Sequence, residues 1–110
     1  MSKEPMAPNW QMMRLRDMLD REGIPWHDAS DHLFCRTQSD EVKTVYDEKG
    51  RPRDHMLFSV VCGPYSYGGR EDLLEVLMAG SDEPVGYLDA ERIMQMVLRW
   101  RAWDGRYDHD

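Results

Sequence analysis

A chain of 110 residues is long enough for one buried core and too short for a second independent one. With 41% hydrophobic and 32% charged residues it has the balance of a folded globular protein, and no apolar run approaches the roughly 20 residues of a membrane helix. A net charge of -7 excludes the basic footprint by which proteins neutralise phosphates, so direct nucleic-acid binding is not expected.

The start, "MSKEPMAPNW", has no apolar stretch of the secretory kind, which points to the cytoplasm. Residues 1–8 read as a flexible N-terminus ahead of a single domain over 9–110. Asn9 is placed to cap a helix whose apolar positions Met12, Leu15 and Leu19 recur at helical spacing. Arg16 with Asp20 and Asp17 with Arg21 are spaced to pair on its wet side. Gly23 ends that helix, and Pro25 forces Ile24 into an extended conformation, so "GIPWHD" leaves as a strand or extended connector. "HLFCRT" predicts a short strand, and "VKTVYD" a second one with period-two alternation. In "DEKG", Gly50 suits the left-handed position of a type I turn with a bulge, and Pro52 is expected to delay the return strand to about Asp54.

"HMLFSVVCG" is apolar on both alternating faces, as a central strand is. "DLLEVLM" fits a helix capped by Gly80 and equally a strand pairing back; its position between a glycine loop and "AGSDEP" favours the strand. Asp89 then caps a final helix with the stripe Ile93, Met96, Val97, Trp100 and Trp103 and with Arg99 and Arg101 near its negative end. The expected fold is α+β: a three- to four-stranded antiparallel sheet with an N-terminal and a C-terminal helix packed on one face, the other face open to a partner.

The loop "GPYSYGGRED" carries neither a Walker ending nor a dinucleotide fingerprint. Structurally it is a wide turn in which Gly63, Gly68 and Gly69 supply backbone angles that other residues avoid, with Tyr65 or Tyr67 folded over the sheet. Functionally, Tyr65, Tyr67, Gly68, Gly69, Arg70, Glu71 and Asp72 form the candidate partner- or ligand-binding surface, aromatic and cationic side chains being frequent interface anchors. No catalytic residue is assigned: Ser59, Ser66, Cys35 and Cys62 lie in no nucleophile signature. No metal or cofactor is expected either, because His27 and His32 in "HDASDH" match no ligand spacing, and His55 and His109 read as surface residues. Cys35 and Cys62 sit in strand-like stretches as reduced core thiols. From Glu71 to Glu91 there are seven carboxylates and no Lys or Arg, a candidate acidic face for a basic partner. Four tryptophans and nine methionines make a large apolar stock that a homodimer would cover.

The segments "FSVVCGPYSYGG", "LLEVLM" and "EPVGYLDAERIMQMV", with "LRDMLDREGIPWHDASD" upstream, resemble a group of small uncharacterised phage- and prophage-encoded proteins. Their pattern runs hydrophobic-Ser-Val-Ile, Gly, Ser/Thr-Tyr-Gly-Gly, Leu-Leu-Glu and Gly-x-Leu-Thr-Ala-Glu. Asp89 stands where that pattern has Thr, a change a helix cap tolerates. The resemblance implies a mobile-element protein acting inside a bacterial cell and brings no activity with it. With the acidic charge, it yields the expectation of a non-enzymatic interaction protein, an inhibitor of a host defence or nucleic-acid-processing complex in the manner of anti-CRISPR proteins. The alternative is a small nucleotide- or ligand-binding protein whose Gly-Tyr loop, 63–72, stacks on a base while Arg70 meets a phosphate.

Overall fold

The computed structural model describes residues 9–28, 34–103 and 105; the N-terminal segment 1–8, His32 and His109 lie outside the described residues. Helix α1 (Trp10–Arg21) is followed by strands β1 (Trp26–Asp28), β2 (Cys35–Ser39), β3 (Val42–Tyr46), β4 (Pro52–Met56) and β5 (Phe58–Cys62). A short 3-10 turn (Gly69–Glu71) leads to β6 (Leu74–Met78), β7 (Val85–Leu88) and helix α2 (Ala90–Ala102). The α+β class holds, with a sheet larger than expected: five antiparallel strands in the order β1-β2-β5-β6-β7, and β3-β4 apart as a two-stranded hairpin.

Both helices cover one face. Met12, Leu15 and Leu19 of α1 and Ala90, Ile93, Met94 and Val97 of α2 close over Phe58, Val60, Cys62, Leu74 and Val76, all buried in one cluster. The alternate residues Ser59, Val61, Glu75 and Leu77 point to the opposite face and are half-buried or exposed. The helices lie side by side in the same direction. Gln11 Oε1 accepts from the backbone N–H of Ala90 (2.9 Å) and Arg14 pairs with Glu91 at their starts, while Arg101 donates to the Glu22 carbonyl at their ends.

Caps explain where the helices begin. Asp89 accepts from the backbone N–H of Arg92 (2.8 Å), the expected arrangement. Asp89→Ala is expected to lose about 1 kcal/mol, read as a lower urea midpoint at unchanged slope; a loss below roughly 0.3 kcal/mol would show that α2 needs no cap. Asn9 departs from expectation. Its side chain makes no capping bond and its Nδ2 donates to Cys35 Sγ (2.9 Å), while Asp72 Oδ2, arriving from the loop before β6, accepts from the backbone N–H of Trp10 (3.1 Å). On α1 the Asp17–Arg21 pair forms at 2.8 Å. The Arg16–Asp20 pair does not, because Arg16 turns to the buried Thr37 hydroxyl (2.7 Å) and to Asp28, and Asp20 accepts from the Trp26 indole (2.8 Å).

Two strand boundaries differ from the sequence reading. β4 starts at Pro52, opposite Tyr46, because the Tyr46 N–H points outward to the Gly105 carbonyl (2.9 Å); at such a non-bonded pair proline's missing N–H is not needed. The run 55–63 is also two strands. Leu57 is the crossing point: its N–H donates to the Glu41 carbonyl and its own carbonyl accepts from Ala79, so the chain changes sheets there. The C-terminal end of α2 anchors the hairpin through Lys43, which donates to the Trp100 and Arg101 carbonyls and lies over the stacked rings of Trp100 and Trp103.

At the hairpin tip Gly50 takes φ +79°, and Asp47 accepts from the backbone N–H of Lys49 and Arg51 and from Arg51 Nε. These bonds, the Arg51 backbone foremost, hold the Asp47 carboxyl below its ordinary 3.8. A lowered folded value means that the contribution is present above about pH 4 and is lost as the pH falls through the folded value. Asp47→Asn is therefore expected to flatten the acid limb of the stability-pH curve; an unchanged limb would show that the tip does not titrate with folding.

Candidate functional site

The residues between β5 and β6 form a loop locked by its own backbone. Ser66 Oγ accepts from the Gly63 N–H and donates to the Gly63 carbonyl, both at 3.0 Å, and the Gly69 N–H donates to the Ser66 carbonyl (3.1 Å). The Gly68 carbonyl accepts from Glu71 and Leu73. Of the three expected glycine angles only Gly68 is left-handed, at φ +93°. Gly63 and Gly69 serve close approach instead: a Cβ on Gly69 would lie 1.8 Å from the Gly63 carbonyl oxygen, and one on Gly63 would enter the Phe34 ring at 2.0 Å. Two neighbouring strands hold the loop further. Glu75 of β6 accepts from the Tyr67 N–H (2.7 Å), and the Tyr67 carbonyl accepts from Tyr87 of β7 (3.1 Å).

This frame separates the candidate residues into two groups. Tyr65 and Tyr67 stand outward, 78% and 60% exposed, and Arg70 and Glu71 are also exposed, Arg70 with Nε donating to the Pro64 carbonyl (3.4 Å). Gly68 and Gly69 are buried within the turn. Asp72, with φ +60°, faces inward to the start of α1, where burial raises its carboxyl above the ordinary value against the lowering effect of the Trp10 and Gln11 N–H groups. Its place is structural.

Three residues outside the expected set complete the surface. Phe34 packs beside Tyr65 with ring centroids 6.3 Å apart, and the Arg36 guanidinium lies 5.5 Å above the Phe34 ring. Tyr87 is 60% exposed at a bulge in β7, with φ +58°, where Gly86 fits directly against Tyr67. The motif "VGYLD" held the only signal, a glycine beside an aromatic residue. The result is a rigid aromatic ridge with a cationic edge, beyond one end of the open sheet face.

The expected acidic face is dispersed. Asp72 and Asp89 serve helix starts, Glu75 holds the loop and Glu91 pairs with Arg14. Glu71 and the pair Asp82 and Glu83 remain exposed, at opposite ends of β6, whose residues span about 17 Å. The tryptophan stock is also largely absorbed: Trp26 and Trp100 pack against the core, Trp103 stacks on Trp100, and Trp10 remains 58% exposed.

The polar chemistry elsewhere is modest. Cys35 and Cys62 are free thiols directly opposite each other on β2 and β5, and burial above all pushes the Cys62 thiol up to about 11. His27 Nδ1 meets Asp40, and among the described residues no three His, Cys, Asp or Glu side chains group as metal ligands. Among those residues no helix is long and apolar enough to cross a membrane. A groove of about 370 Å³ runs between the hairpin and the open face, past Asp47, Arg53, His55, Ser59 and Leu77. It does not reach residues 63–73. Comparison with known proteins finds no family model, no curated protein and no solved structure that matches the chain.

Proposed function

We propose that the chain is a non-enzymatic interaction protein of phage or prophage type that docks a protein partner in the bacterial host cell through the ridge of Tyr65, Tyr67 and Tyr87. The observation that carries this reading is the pairing of outward tyrosines with a glycine-locked backbone. Large aromatic rings held in advance lose little entropy on binding, and tyrosine and arginine dominate interface energetics. Inhibition of a host defence or nucleic-acid-processing complex is the role we assign to that contact. The dispersal of the acidic side chains favours aromatic docking over imitation of a phosphate backbone.

The tagged chain as bait in host lysate tests the reading, beside the variant Tyr65→Ser/Tyr67→Ser/Tyr87→Ser. The expected result is a partner captured by the unaltered chain, retained at about 1 M salt, where charges are screened beyond roughly 3 Å, and lost with the triple variant. Equal capture by the triple variant, or release of the partner as salt rises, would overturn the aromatic reading.

A further inference from the structure

At the opposite side of the core layer, α2 overhangs the last two strands of the sheet. Arg92, Gln95, Met96, Arg99 and Trp100 recur at helical spacing along one side of α2 and, with Met78 of β6 and Leu88 of β7, line a groove of about 420 Å³. That volume lies within the ~300–1,000 Å³ of small-molecule sites. Its apolar part is Met78, Leu88, Met96 and the indole of Trp100, all partly buried against the core cluster.

Two cationic side chains, Arg92 and Arg99, stand at its rim. Six arginines, Arg14, Arg16, Arg21, Arg51, Arg53 and Arg101, pair with carboxylates. Among the described residues four arginines pair with none: Arg36 lies over Phe34, Arg70 meets the Pro64 carbonyl, and Arg92 and Arg99 both stand on this groove. These last two stand seven positions apart on one helix side, about 10.5 Å along the axis, at either end of the apolar floor.

We propose that this groove binds a small amphipathic anion: a linear apolar chain lying along Met78, Leu88 and Met96, ended by a carboxylate that Arg92 or Arg99 grips. The guanidinium fork matches a carboxylate in two parallel hydrogen bonds, and the methylene stem of each arginine extends the apolar lining. The groove is separate from the tyrosine ridge, so the two readings stand or fall independently.

Free decanoate titrated into the whole chain carrying 13C-methyl methionine is the test. The expected result is that the Met78 and Met96 methyl signals move and saturate below roughly 1 mM, as a ligand of this size does at ordinary efficiency, while the exposed Met13 stays in place. Arg92→Gln/Arg99→Gln, which breaks no ion pair among the described residues, is expected to keep the melting profile and weaken decanoate at least tenfold. Immobile Met78 and Met96 signals, a Met13 shift as large as theirs, or undiminished affinity in the double variant would each overturn the proposal. So would binding to anionic lipid vesicles with none to free decanoate.

Discussion

Gly69→Ala is expected to destabilise the protein by about 3 kcal/mol and to abolish the fixed display of Tyr65 and Tyr67. The added methyl group would sit 1.8 Å from the Gly63 carbonyl oxygen and near Ser66 Oγ. The carbonyl is backbone, so relief requires moving the segment that also supplies the Ser66 bonds and the support of Phe34. Urea unfolding gives the loss, and Tyr65→Ser supplies the reference, since a ring 78% exposed is expected to change stability by less than about 0.5 kcal/mol. A loss below roughly 1 kcal/mol for Gly69→Ala would mean that the loop yields freely, and the preorganised surface argued above would go with it.

Phe58→Ala is expected to cost about 4 kcal/mol, a fall in melting temperature of roughly 15 °C or more in a domain of this size. Phe58 is 1% exposed, on the central strand β5, where the ring fills space beneath both helices. Natural domains hold only about 5–15 kcal/mol in all, so this one substitution removes a large share. Val61→Ala, on the other face of the same strand, is expected to cost about 1 kcal/mol, because Val61 is half-buried and among the described residues both helices pack on the opposite face. Equal losses at the two positions would contradict a sheet covered on one side.

Periodicity and caps made much of this architecture legible. The stripes Met12, Leu15, Leu19 and Ile93, Val97 announce both helices, Gly50 announces the hairpin, and the alternation around Val60 announces the middle of the sheet. What escaped was decided by contacts distant in sequence. β7 is four residues long, contains a glycine and meets β6 through an irregular register, so its local pattern is nearly empty. Leu57 and Phe58 are buried in succession, which as a sequence looks like one strand covered on both faces and in space is a change of sheet. Asp72 looked like a surface carboxylate of the loop because its partner, the first turn of α1, lies 62 residues away. Tyr65 and Tyr67 were noticeable from their place in the glycine loop "GPYSYGGRED", whereas Tyr87 joined them through strand pairing.

The division of labour inside the loop has a consequence for how such a molecule can diversify. Its cohesion comes from carbonyls, glycines, one serine hydroxyl and the Glu75 carboxylate, and among the described residues no hydrogen bond involves the side chain of Tyr65 or Tyr67. Those two positions can therefore be randomised as a library, with the exposed surface changing while the architecture beneath keeps its form.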